Sequence, residues 1–152
     1  MNQQRAPWMC VAVYLLLLHE GQVLLLRRHN TGYEDGNCSV IAGHVDAGER
    51  VTQALVREAA EEAGIQLNEE EVHFVHVLQR QGADGPVYLD FFFLAEHWQG
   101  QVQNCEPSKC DDLQWKPLIA LPTNTIPYVR AVLETLPTQV PRFSEYGWGS
   151  LG

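Results

Sequence analysis

Residues Gly43–Ile65 read GHVDAGERVTQALVREAAEEAGI, and the fold is decided by how this stretch is read. A glycine-rich turn leads into a pattern with helical period. Val51, Leu55, Ala59 and Ala63 recur at i+4 spacing, a narrow stripe of small and medium apolar side chains suited to close packing on a sheet. A helix advances about 100° per residue, so Glu58, Glu61 and Glu62 fall within an arc of roughly 100° beside that stripe. Like charges crowded on one face repel. Taken alone, an E-x-x-E-E run describes a solvated acidic face. Beside a glycine turn, the same cluster is an oxygen-rich site of the kind hard divalent cations require, and Mg²⁺ would remove the repulsion.

The spacing carries more than the acids do. Gly43, Glu49, Arg57-Glu58, the aliphatic Ala59, Glu61-Glu62, Gly64 and Ile65 satisfy GX5EX7REUXEEXGU at every fixed position. That is the signature of the Nudix hydrolases, and the sequence resembles that family. The resemblance implies an α/β fold with a mixed β-sheet sandwiched between helices (α/β/α). The implied activity is pyrophosphohydrolysis of a nucleoside diphosphate linked to another group X. Carried over by position, Glu58, Glu61 and Glu62 match the metal ligands, joined by the carbonyl of Gly43. Glu49 matches the glutamate that supports the metal site and its waters, and Arg57 the arginine that orients the acids. Arg57 also stands i+4 from Glu61, which suits an ion pair. Ala59 is the smallest residue tolerated at its position, Arg50 replaces a common Ser or Thr helix cap, and Ile41 stands where many relatives carry Pro.

The 152 residues are enough for a single domain, here 1–152, with the tail 137–152 read as peripheral. Apolar content of 45% and charged content of 19% are globular values. A net charge of −9 argues against a nucleic-acid polymer as partner, because phosphate backbones are held by clustered cations. A small phosphorylated substrate remains compatible, since a bound metal inverts the local charge. Cys10, Cys38, Cys105 and Cys110 form no CxxC pair and read as reduced thiols. The polar start and the short apolar run Val11–Leu18 give no membrane segment, so the expected location is cytoplasmic.

Along the chain, Trp8–Leu18 and Val23–Leu26 flank His19-Glu20-Gly21-Gln22 and read as a β-hairpin buried on both faces. It ends in Arg27-Arg28, which either close an exposed strand or contact substrate phosphates. His29–Asn37 is a polar, glycine-containing loop in which Tyr33 is a packing residue or a base-stacking one. Ser39–Gly43 reads as one short strand entering the turn, with His44 at the site mouth. Gly64 suits a helix C-cap. Val72–Gln79 and Tyr88–Ala95 read as strands around the turn Gln81–Pro86. Phe91, Phe92 and Phe93 read mainly as core, with one or two available to a base pocket. Asp90 is an acid inside an apolar strand.

The segment Asn104–Cys110 is a loop before a strand at Asp112–Lys116. In MutT-type relatives an acid of this loop approaches the metal, and Glu106 is its match here. Glu106 or Glu49 would then position or deprotonate the attacking water. A last helix runs to about Leu136, with Asn124 or Thr125 as N-cap and Pro127 in the first turn. Asn124 also lies where such relatives read a purine edge. The implied cofactor is Mg²⁺, with Mn²⁺ as alternative, and the implied partner a small nucleotide. The chain would be a monomer or homodimer. A MutT-like nucleoside triphosphate pyrophosphatase is the leading function. A nucleotide-sugar or ADP-ribose-type diphosphatase is the alternative, followed by a non-catalytic nucleotide-sensing module.

Overall fold

The computed structural model describes residues 5, 8–82, 85–138 and 140–149. The apolar run of the sequence becomes β1 (Cys10–His19), which turns into β2 (Gln22–Arg28). The two-residue connection, Glu20-Gly21, has φ of 50° and 76°. Positive φ at both central positions matches the twist of a tight hairpin, and glycine adopts it without strain. The expected single strand before the turn is instead two, β3 (Cys38–Ser39) and β4 (Ile41–His44). The chain changes partner between them: β3 pairs with β2 and β4 with β1.

Helix α1 (Val51–Ala63) follows. Arg50 at its N-cap offers no acceptor oxygen, but Gln53 Oε1 accepts a hydrogen bond from the Arg50 amide at 2.8 Å, half of a capping box. Gly64 ends the helix at φ 68°, and its amide meets the carbonyls of Ala59 and Ala60, as a left-handed cap should. A short 3-10 turn at Glu69–Glu71 leads to β5 (Val72–Gln81), then β6 (Val87–Ala95) and β7 (Cys110–Pro117). Helix α2 (Pro127–Thr135) and β8 (Arg142–Tyr146) complete the order.

The sheet runs β3-β2-β1-β6-β5-β8, with β4 also on β1 and β7 on β2. It is mixed: β1–β6 and β5–β8 are parallel, and the other named pairings are antiparallel. Period-two alternation splits β1 between two cores. Val13, Leu15 and Leu17 pack under α1 with Leu55, Ala59 and Ala63. Ala12, Tyr14 and Leu16 pack on the opposite face with Tyr128, Val129 and Val132 of α2. This double burial explains why β1 is apolar without interruption. The same alternation sends Phe93 toward α1 and Phe92 toward α2. The tail read as peripheral carries β8, a parallel edge strand in register with β5. All four cysteines are free. Among the described residues no helix is long and apolar enough to cross a membrane.

Candidate functional site

The stripe Leu55, Ala59 and Ala63 is buried to within 1%, and that anchoring fixes the rotation of α1. Glu58, Glu61 and Glu62 are thereby turned into a cavity of about 920 Å³, which Glu106, Arg28 and Lys109 also line. The absence of a side chain at Gly43 matters here. The Glu58 carboxyl lies against Gly43, and a β-carbon at that position would overlap it. A side chain there would displace the Glu58 carboxylate from its place beside the turn.

Arg57 organises the acids from behind. Nε and Nη2 donate to Glu49 at 2.8 and 3.0 Å, Nη1 donates to Glu58 at 2.8 Å and to Glu61 at 3.3 Å, and Nη2 donates to the His44 carbonyl at 2.9 Å. These contacts use all five N–H donors of a guanidinium, and they raise the Arg57 pKa above its ordinary value through the Glu49 hydrogen bond first. Glu49 is correspondingly pulled down to about 2 by Arg57 and by the Asp46 amide. With both oxygens engaged and no place on the cavity wall, Glu49 braces Arg57 in this arrangement.

Glu62 is the acid under most strain. Its Oε2 accepts from the Ala42 amide at 3.1 Å, yet withdrawal from water, then the charge of Glu58, then Glu106, drive its pKa well above the carboxylate range. Burial also raises Glu58, against the pull of Arg57. Buried carboxylates with too little positive charge around them are what a divalent cation relieves. The donor set, all carboxylate oxygen, suits a hard ion. As they stand, no three ligand-type side chains among the described residues converge tightly enough to enclose one. Glu106 lines the cavity, and none of the described residues hydrogen-bonds its carboxylate.

The far end of the same cavity is walled by tyrosines around a second arginine. Arg80 bonds the fully buried Asp90 through Nε at 2.7 Å and Nη2 at 3.2 Å. Its guanidinium carbon lies 4.3, 4.7 and 5.9 Å from the ring centres of Tyr88, Tyr128 and Tyr33. Nη1 donates to the Tyr33 hydroxyl at 3.3 Å, and that hydroxyl lies 2.8 Å from the hydroxyl of Tyr128. Burial works against the charge of Arg80, but Asp90 together with Tyr14 and Tyr128 more than offsets it and holds the guanidinium protonated. Desolvated cation–aromatic contacts are worth about 2 kcal/mol. Burial likewise raises the phenols of Tyr14 and Tyr128. Arg80, Tyr14, Tyr33 and Tyr88 reach the cavity, as does His44, whose Nε2 lies 3.1 Å from the Tyr88 hydroxyl.

Several sequence expectations meet a different geometry. Arg27 bonds Asp111 at 2.7 Å and does not line the cavity, whereas its neighbour Arg28 does. Successive strand residues face opposite ways, so the basic pair divides between the two roles. Asn124 is also off the cavity. Its side-chain amide donates to the Gly36 carbonyl at 2.9 Å, and α2 begins at Ile126-Pro127 with no side-chain cap. Asn124 ties down the loop before β3, neither capping the helix nor facing the site. Thr125 bonds the Pro122 carbonyl and does not cap α2 either. Phe91, Phe92 and Phe93 are core or sheet-face residues and leave the cavity to the tyrosines. Arg80 was not foreseen. Its signal was a lone arginine in β5, matched by Asp90 across a turn.

Comparison with known proteins follows the same outline. A family model, the NUDIX domain, matches residues 8–136. The NAD-capped RNA hydrolase NudC of Pseudomonas aeruginosa is 35% identical over 108 residues, covering 71% of this chain and 36% of that protein. The human 8-oxo-dGDP phosphatase NUDT18 is 31% identical over 116 residues, covering 75% and 34%. The chain therefore spans about a third of the length of these curated relatives. Among solved structures, a MutT NUDIX hydrolase from Burkholderia pseudomallei superposes with a TM-score of 0.78 at 28% identity, covering 84% of this chain and 97% of the other. The E. coli ORF135 protein superposes at 0.71 with 26% identity, covering 86% and 89%.

Proposed function

The chain belongs to the Nudix family, and from that premise we propose that it is a Mg²⁺-dependent pyrophosphohydrolase acting on a nucleoside triphosphate or a related nucleoside diphosphate-X compound. The observation that carries this reading is one cavity lined by Glu58, Glu61, Glu62 and Glu106 together with Arg28 and Lys109. Acid and base side chains lining the same cavity suit a polyphosphate held between a cation and protein donors.

Glu58, Glu61 and Glu62, with the Gly43 carbonyl, are the residues that would hold the ion. When bound, a divalent cation neutralises charge on phosphate oxygens and acidifies a coordinated water. Arg57 and Glu49 keep the carboxylates oriented. Arg28 presents its guanidinium to the phosphates, already steadied by Nε on the Tyr33 carbonyl at 2.6 Å. Glu106 receives the proton of the attacking water at its carboxylate. A water oxygen–phosphorus bond forms, one anhydride P–O bond breaks, and a triphosphate leaves a nucleoside monophosphate and pyrophosphate. The donor-rich far end, Arg80 and Tyr33, suits a base or X group that presents hydrogen-bond acceptors. Among the relatives, the name NUDT18 carries an oxidised purine nucleotide and the name NudC a capped RNA. The acidic balance of this chain, −9, favours the small nucleotide over the polymer.

The test is a panel of nucleoside triphosphates, nucleotide sugars and ADP-ribose with Mg²⁺ or Mn²⁺, scored by released pyrophosphate or phosphate. Glu106→Gln is expected to lower kcat by ~10²- to 10⁴-fold, the usual contribution of a general base, with little change in KM. Full turnover in that variant removes Glu106 from the chemistry, and no turnover of any compound by the wild type removes the reading itself.

A further inference from the structure

The matched domain ends at residue 136, and β8 (Arg142–Tyr146) lies beyond it. Three contacts pin this added strand. Ser144 Oγ is 2.7 Å from His76 Nε2. The Tyr146 ring packs on Tyr128, with centres 5.5 Å apart. Gly147, at φ 87°, rests on the Gln81 carbonyl so closely that a β-carbon would overlap it. The register places Tyr146 opposite Arg80 across β5–β8.

Tyr128 is the shared member. It does not line the cavity, but it stacks on the Arg80 guanidinium and meets the Tyr33 hydroxyl, and both of those do line it. Contact therefore runs from β8 through Tyr128 to the two donors at the end of the cavity away from the acids. Tyr146 is 41% exposed, so its ring closes the outer side of this stack without forming part of either core.

We propose that β8 is a positioning element for the substrate cavity. Tyr146 holds Tyr128 against Arg80 and Tyr33, and thereby sets affinity for the planar, acceptor-bearing part of the substrate while leaving bond cleavage to the acidic end. The proposal rests on reading the cavity as a nucleotide site. Arg80 can only donate hydrogen bonds, so the group it meets is one with ring oxo or equivalent acceptor atoms. Arg80's position depends on aromatic faces on more than one side.

The experiment measures KM and kcat on the nucleoside triphosphate panel, and binding of AMP, GMP, CMP and UMP by equilibrium titration without Mg²⁺. Tyr146→Ala is expected to raise KM and the monophosphate Kd about tenfold with kcat within about twofold, and Tyr146→Phe to behave as wild type. Ser144→Ala, which removes the bond to His76, is expected to shift both in the same direction by a smaller factor. Unchanged Kd and KM in both Tyr146→Ala and Ser144→Ala overturn the proposal, as does a fall in kcat alone. Should the wild type bind and cleave no nucleotide, the nucleotide-site reading fails, and this proposal with it. Binding by the wild type with no response to β8 variants sinks the proposal alone.

Discussion

The two ends of the cavity handle buried charge in opposite ways. At the far end, Arg80 meets Asp90 through two hydrogen bonds and is wrapped in aromatic faces, so its charge is answered within the protein. At the acidic end, among the described residues Arg57 is the guanidinium hydrogen-bonded to Glu49, Glu58 and Glu61, and Glu62 has a backbone amide and only the more distant charge of Arg28. The first arrangement is complete without a ligand. The second keeps an excess of negative charge that a cation would answer. On the proposed reading the imbalance is what a cation would relieve, whereas a wall that only shapes the cavity gains from balance.

The sharpest break of this comparison is Glu62→Gln. Loss of an ion-holding carboxylate is expected to cost more than the ~10- to 100-fold typical of outer-shell changes, measured as Mg²⁺-dependent turnover. The same substitution is expected to make the metal-free protein more stable at neutral pH. Glu62 has a folded pKa above its unfolded value, so the folded state binds the extra proton and stability falls as pH rises. The loss begins near 4.5 and grows until Glu62 ionises in the folded chain. Denaturation of wild type and variant over pH 4–8, with chelator, should show the variant gaining as pH rises, and added Mg²⁺ should erase the gain. A variant less stable at every pH would mean that the acid is already satisfied.

At the balanced end the expected sign is reversed. Asp90→Asn leaves Arg80 charged, buried and half-partnered, and breaking such a pair costs about 3–5 kcal/mol. Chemical denaturation checks this at any Mg²⁺ concentration, because no ion takes part. A loss under about 1 kcal/mol would show that the tyrosine faces alone hold the arginine.

The acidic end was legible in the sequence because helix periodicity converts spacing into direction. Once Leu55 and Ala59 face the core, the three glutamates have one place to go. The hairpin and most of the element order followed from local pattern, the helix-covered mixed sheet followed from the family resemblance, and β8 was not foreseen. The tyrosine-lined end was not legible. Tyr14, Tyr33, Tyr88 and Tyr128 come from two strands, a loop and a helix, and only the sheet register brings them onto Arg80. Arg27 and Arg28 were inseparable for a related reason, since strand alternation decides which one faces the cavity and its phase is set by the partner strands. Partner choice also split the segment before the turn at Val40, which no local pattern marked.

Asn124 carries the smallest expected effect and the finest discrimination. A side-chain amide that donates to the Gly36 carbonyl secures the loop ahead of β3, where Cys38 also takes a backbone bond to the Asn124 carbonyl at 2.8 Å. Removing one partly exposed hydrogen bond costs about 0.5–1.5 kcal/mol. Asn124→Ala should therefore lower stability by that amount and leave the ranking of bases on the nucleotide panel unaltered. Tyr33→Phe should do the opposite, disturbing base ranking with little change in stability, because its hydroxyl meets Arg80 and Tyr128 at the cavity wall. If the ranking moves with Asn124 and not with Tyr33, the recognition surface lies toward Gly36, and the aromatic wall around Arg80 is scaffold alone.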